Sequence, residues 1–264
     1  IGVSYLRLSI GASDLNSYVF SYDDLPAGQT DITLSQFSLS KDQALVDMLK
    51  KILTINPNIK ITGVVASGAR GMKDSFEARM PIDSASVKTI ADGIAVRDVT
   101  PKLLDIILEY VDQIVEVTDN ETANAILFLL EKHKLVVEGA GAVATAAIMH
   151  HKIEIENEKV CAIVSGGNID VTMLSLIIDK GLVKSFRKMN LIVTLMDKPG
   201  ALMHLTDVFT QCSTNIVQID YDRNSVKLEF GEAHVTIALE TKGEEHQKLI
   251  RENLKQSGYR FKQI

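Results

Sequence analysis

The sequence turns on V-C-A-I-V-S-G-G-N-I-D, Val160 to Asp170. Its first five residues are apolar and mostly β-branched, the composition of a strand buried on both faces of a sheet. The run stops at Ser165-Gly166-Gly167-Asn168. Two glycines there leave bare backbone at the strand's carboxyl end, which is where open α/β sheets hold their ligands. A hydroxyl, uncovered main chain and an amide converge at one point. Taken alone, the tetrapeptide reads as a tight turn, because Gly and Asn mark turns generally. The blocks that precede it add a second reading.

Upstream lie Val136-Val137-Glu138-Gly139-Ala140-Gly141-Ala142-Val143-Ala144 and Thr89-Ile90-Ala91-Asp92-Gly93-Ile94-Ala95-Val96. The first is a run of small residues whose helix can pack very close to a neighbour or a ligand, with Glu138 placed to complement the helix N-terminus. In the second, Asp92-Gly93 marks a turn. Around them the chain alternates helix and strand. Leu45, Val46, Met48, Leu49, Ile52 and Leu53 recur at helical spacing over 42–54, Pro57 ends the pattern, and Ile59–Val65 reads as a buried strand. A helix follows Pro101, Ile114–Val117 reads as a short strand, and Thr118 with Glu121 forms a capping box for a helix ending near His133. Helix, turn and strand in succession imply an α/β unit with a parallel sheet.

Composition excludes several classes. A chain of 264 residues, 46% hydrophobic and 23% charged, can bury one large or two modest cores. Net charge is −6 with no basic block, which points to neither nucleic acid nor a membrane surface. No apolar run reaches the ~18 residues of a membrane span. Cys161 and Cys212 are the only cysteines, so neither a disulfide framework nor a Cys-rich metal site is expected, and a reducing cytoplasm fits best. The chain begins at Ile1 without a signal-peptide pattern, which suggests a fragment. His150 and His151 read as exposed last-turn cations on different helix faces, not as a metal pair. Lys73 reads as a solvated loop lysine.

The three blocks T-I-A-D-G, E-G-A-G-A and S-G-G-N-I-D, in that order, resemble the pyridoxal-phosphate (PLP) enzymes of the threonine dehydratase family. That resemblance implies a tryptophan synthase β-like (fold type II) domain, here partial, over about 42–182, with residues 1–41 unassigned. It implies a cofactor site of Ser165, Gly166, Gly167, Asn168, Glu138 and Gly93. Ser165 would hydrogen-bond the cofactor's ring nitrogen, Gly166 and Gly167 would let the backbone approach, Asn168 would brace the loop, Glu138 would face the cofactor, and Gly93 would lie beside the ring. The family's glycine run, which wraps the cofactor phosphate, is absent from the sequence. Its Schiff-base lysine is also not found: in Lys73-Asp74-Ser75-Phe76-Glu77-Ala78-Arg79, Glu77 stands where S-F-K-x-R would carry the lysine. No catalytic residue is therefore assigned. Val65 and the loop 68–71 occupy the positions where some relatives bind a divalent cation, so no metal site is expected.

From about 187 the pattern changes. Strand Asn190–Met196, a helix ending near Cys212, strands Asn215–Tyr221 and Glu232–Leu239, helix Glu244–Gln256 and strand Tyr259–Gln263 give βαββαβ, a ferredoxin-like order. With Asp197-Lys198-Pro199-Gly200-Ala201-Leu202 after the first strand, residues 187–264 resemble an ACT domain. That implies a homo-oligomer and an effector site for a small aliphatic amino acid, isoleucine or valine, at Asp197, Gly200, Leu202 and Asn215. The Pro-Gly turn is also a plain helix-initiating turn.

These resemblances imply a PLP-dependent threonine or serine ammonia-lyase, of which the chain carries the C-terminal part. The reaction would remove the α-proton and the β-hydroxyl of threonine and release 2-oxobutanoate and ammonia. The alternative is a non-catalytic amino-acid-binding or assembly module. Serine racemase is a third reading, disfavoured by the missing metal carboxylate and the second domain.

Overall fold

The computed structural model describes residues 59–224 and 228–264, together with residues 47, 50, 51 and 54. Those four, Asp47, Lys50, Lys51 and Thr54, are helical and exposed, the polar face of the helix expected over 42–54. Its apolar positions, like residues 1–41, lie outside the described residues. The chain divides into two compact units at Asp170/Val171.

In the first unit, β1 (Thr62–Ala66) and β2 (Gln113–Val117) pair in parallel, Thr62 opposite Gln113 and Ala66 opposite Val117. A parallel pair needs a long crossover. Here the crossover carries α1 (Gly71–Ala78) and α2 (Pro101–Tyr110), the latter opened by Pro101, whose fixed φ and missing N–H suit the first helical turn. The segment from Lys73 is therefore a helix and not a loop. Lys73 is largely covered, with Nζ 3.6 Å from Glu116 and 3.9 Å from Glu77. Local pairing at i,i+4 and the buried Ser75 hydroxyl, donating to Gly71 O at 2.7 Å, hold a stretch whose charges alone suggested a solvated loop.

Beyond β2, the expected capping box opens α3 (Asp119–Phe128): Thr118 Oγ1 accepts from Glu121 N at 3.2 Å and Glu121 Oε2 accepts from Thr118 N at 2.8 Å. A π-helical turn, Leu129–His133, follows. Helix α4 (Gly139–Met149) buries Gly139, Gly141, Ala142, Val143, Ala146 and Ala147. With so little side chain its axis lies close to whatever it touches, and it packs on α3, β1 and β2. At its end His151 is exposed but His150 is half-buried, with Nε2 covered and unpaired among the described residues, so only one of the two histidines has the exposure expected.

Val160–Val164 is not a strand. The sheet of this unit consists of β1 and β2 among the described residues, so the run has no ladder partner, and Val160 (45%) and Ile163 (43%) are exposed. An apolar β-branched composition favours a strand only where a neighbouring strand completes its hydrogen bonds. Val164 alone of the five is buried.

The second unit begins with α5 (Val171–Lys184), which packs on β3 (Lys188–Met196). Then come α6 (Ala201–Gln211), β4 (Ile216–Asp222), β5 (Glu232–Glu240), α7 (Glu244–Gln256) and β6 (Arg260–Gln263), in the order read from the sequence. The sheet is antiparallel with strand order β4-β5-β3-β6. Alternate residues Met189, Leu191, Val193 and Leu195 point into a core shared with Leu205 and Phe209 of α6 and Ile250 and Leu254 of α7. Each such side chain contributes about 1.5–3 kcal/mol on burial. Strand β4 is an edge, exposed along most of its length.

Candidate functional site

Helix α4 decides what can gather at its N-terminus. A Cβ on Gly139 would lie 2.3 Å from the Ile90 carbonyl oxygen, and one on Gly141 would lie 1.4 Å from that of Ser165. Only glycine permits both approaches. They bring the 89–94 segment and the Ser165 loop against the same helical turn, as the small-residue run implied.

Glu138 is the N-cap residue of α4, in extended conformation, but its side chain caps nothing. Its Oε2 instead accepts the Asn168 N–H at 3.1 Å, and its own N–H donates to Gly166 O at 3.4 Å. Gly166 has φ +69°, and a Cβ there would stand 2.2 Å from Glu138 Oε1. A Cβ on Gly93 would meet Ala140 Cβ at 3.0 Å and Glu138 Oε1 at 3.5 Å. Gly93, Glu138, Ser165, Gly166 and Asn168 thus come together from three separate blocks. Gly167 is exposed, with Val136 O the nearest atom to a Cβ placed on it, at 3.4 Å. Ser165 is half-buried, and its hydroxyl makes no hydrogen bond among the described residues.

One contributor was not picked out in the sequence. Asp119 Oδ1 accepts from Thr89 Oγ1 at 2.6 Å and from Ile90 N at 3.2 Å, which ties the segment before Gly93 to the start of α3. Asp119 was read only as part of a helix start, and its position directly after β2 is the signal that places it at the sheet's carboxyl edge.

The second unit holds a cavity of about 660 Å³ lined by Asp197, Lys198, Pro199, Gly200, Leu202, Met203, Tyr221 and Arg223. Gly200 takes φ +85° and starts α6. Asp197 Oδ1 accepts from Tyr221 OH at 3.0 Å and from Arg223 Nη2 at 3.2 Å. Partial burial and the Asp197 carboxylate raise the Tyr221 phenol above its ordinary range, so it stays a donor at neutral pH. Of the four residues expected here, Asp197, Gly200 and Leu202 line the cavity and Asn215 does not. Asn215 donates to Glu240 Oε2 at 3.0 Å, and Glu240 pairs with Lys188 at the far end of β3 from Met196. The sequence missed Tyr221 and Arg223.

Comparison with known proteins supplies an independent finding. Residues 44–166 match the family described as pyridoxal-phosphate dependent enzyme. The chain is 38% identical over 216 residues to the L-threonine ammonia-lyase of Thermotoga maritima, covering 79% of this chain and 52% of that protein. It is also 38% identical over 204 residues to the L-threonine ammonia-lyase of Geobacter sulfurreducens, covering 77% and 51%. The chain therefore spans about half the length of the curated relatives it matches. Among solved structures, the processed form of threonine deaminase isoform 2 from Solanum lycopersicum is 32% identical with a TM-score of 0.44, covering 48% of this chain and 36% of that one.

Proposed function

We propose that residues 42–182 are the ring-binding part of a PLP-dependent ammonia-lyase acting on threonine or serine, a tryptophan synthase β-like domain of fold type II. The observation that carries this reading is the convergence of Gly93, Glu138 and Ser165–Asn168 at the N-terminus of α4. The likeness of residues 44–166 to PLP enzymes and of most of the chain to L-threonine ammonia-lyases supports it. The residues present fit the cofactor's ring. Gly167 offers bare, exposed backbone to a flat ligand, Gly93 and Gly166 give up their Cβ space to Ala140 and Glu138 and so let the loop close on that helical turn, and the Ser165 hydroxyl makes no hydrogen bond among the described residues.

When bound, PLP supplies an electron sink for the carbanion formed at the substrate's α-carbon. Ser165 would hydrogen-bond the ring nitrogen, and a serine hydroxyl is too weak an acid to hold that nitrogen protonated. Its hydroxyl would thereby limit electron withdrawal and favour loss of the β-hydroxyl over transamination. Gly167 would let the backbone approach the ring, and Asn168 braces the loop through its N–H, donated to Glu138 Oε2.

Residues 187–264 are proposed as a ferredoxin-like ACT domain through which the protein forms a homo-oligomer in the cytoplasm. The βαββαβ order and the cavity at Asp197, Gly200 and Leu202 support the ACT reading. N–H groups at the start of α6 suit a carboxylate, and Leu202 and Met203 suit an aliphatic side chain such as that of isoleucine or valine.

The test is absorbance and fluorescence of PLP titrated into the chain. The wild type should perturb both, and Ser165→Ala should change the bound spectrum while circular dichroism stays the same. Wild-type and Ser165→Ala chains with identical spectra would reduce Ser165 to a turn residue.

A further inference from the structure

The Ser165–Asn168 loop contains two adjacent glycines, and a glycine pair loses more conformational freedom on ordering than any other dipeptide. A hydroxyl carried on such a loop needs something to hold it. One residue does so at two points, once through its main chain and once through its side chain. Glu138 N–H donates to Gly166 O at 3.4 Å, and Glu138 Oε2 accepts from Asn168 N at 3.1 Å. Between the two bonds the carboxylate lies against the bare α-carbon of Gly166, where a Cβ would stand 2.2 Å from Oε1.

Two alternatives for this glutamate fit less well. As a helix cap it should bond the first N–H groups of α4, and it makes no such bond. As a direct partner of the cofactor its carboxylate would turn away from the loop, whereas Oε2 accepts from Asn168 N and Oε1 lies beside the α-carbon of Gly166. A charged acceptor bonds an N–H about twice as strongly as a neutral one, which explains a carboxylate serving main chain here.

We propose that Glu138 is a positioning residue: its carboxylate and its N–H clasp the Ser165–Asn168 loop and so set where the Ser165 hydroxyl stands. What Ser165 does rests on the cofactor reading above; the clasp itself does not.

The experiment uses the 264-residue chain and two readouts. Without cofactor, amide hydrogen exchange at Asn168 should accelerate about tenfold or more in Glu138→Ala, the loss expected for a hydrogen bond to a charged acceptor. In Glu138→Gln, which keeps an acceptor oxygen, the change should be no more than a few-fold. Exchange within α4 should hold in both variants, which separates release of the loop from unfolding. With PLP added, Glu138→Ala should reproduce the spectrum of Ser165→Ala, the double variant should add nothing, and Glu138→Gln should restore the wild-type spectrum.

Unchanged exchange at Asn168 in Glu138→Ala would overturn the clasp. So would a Glu138→Gln spectrum altered as much as that of Glu138→Ala while Asn168 stays protected, since that marks a direct contact with the ring. A wild type that takes up no PLP would remove the cofactor reading, and the exchange arm would still decide the clasp.

Discussion

Of the described glycines in the first unit, Gly141 leaves an added methyl the least room. In Gly141→Ala the methyl carbon would lie 1.4 Å from the Ser165 carbonyl oxygen, 2.6 Å from the Ser165 carbonyl carbon and 2.9 Å from Val137 Cγ1. Carbon and carbonyl oxygen touch at about 3.3 Å, so α4 and the loop must separate by about 2 Å. The obstacle is main chain and cannot swing aside as the end of a flexible side chain would. Overpacking of this kind costs up to about 3 kcal/mol, and replacing a helical glycine returns about 1 kcal/mol, which leaves a net loss near 2 kcal/mol. With a urea dependence of about 2 kcal/mol per M, the midpoint should fall by about 1 M. Urea melts followed by far-ultraviolet circular dichroism measure the loss, and hydrogen exchange on α4 assigns it to this unit. Gly167→Ala is the control: it meets only Val136 O at 3.4 Å and should stay within about 0.5 kcal/mol of wild type. A Gly141→Ala chain as stable as the control would refute the close approach of α4 to Ser165.

Thr118→Ala removes the acceptor for Glu121 N and should cost about 1 kcal/mol in the same urea melts, with no change in any cofactor spectrum. Partial burial raises the Glu121 carboxyl, but the Thr118 N–H and Lys152, 2.9 Å away, outweigh it and hold the group below its ordinary value. Its contribution is therefore present at neutral pH and lost as pH falls through that lowered value, so Glu121→Gln should flatten the acid limb of the stability profile, and an unchanged limb would count against the pairing. Borohydride reduction of the chain mixed with PLP should label lysines only in scattered, substoichiometric fashion, because no lysine follows the family spacing; full labelling of one lysine with ammonia release from threonine would sink that expectation. Isoleucine or valine should bind in calorimetry and shift the sedimentation of the chain, since a ligand that favours neither assembly state shifts neither; a monomer that binds no amino acid would leave the second unit a structural appendage.

What could be read in the first unit depended on whether a residue acts through its neighbours in sequence. The capping box, the Pro101 start and the helix ending at His133 are local, and all three stand as expected. The glycines of α4 were legible for a related reason: a helix of Gly and Ala has value only where something comes close. Val160–Val164 failed because a strand is a relation between two segments, and composition describes only one of them. Lys73 failed in the opposite sense, since charges that look solvated one by one pair at i,i+4 and across to Glu116.

In the second unit the missed residues follow from geometry that the element order already contained. Helix α6 leaves the Gly200 turn and, over its 11 residues, carries the chain about 16 Å away. Asn215 comes just after that helix, so it lies far from Gly200 although only fifteen positions on in the sequence. Strand β4 then runs back over 7 residues, about 23 Å, which returns its last residues to the level of Asp197. Tyr221 and Arg223 stand at that returning end, and both donate to the Asp197 carboxylate. A βα unit followed by a strand parallel to the first, here one strand away across β5, thus brings the loop after the first strand to the end of the second, not to its beginning. The partner of Asp197 had to be sought near residue 222, and the two donors found there close one wall of the cavity that contains the Pro199-Gly200 turn.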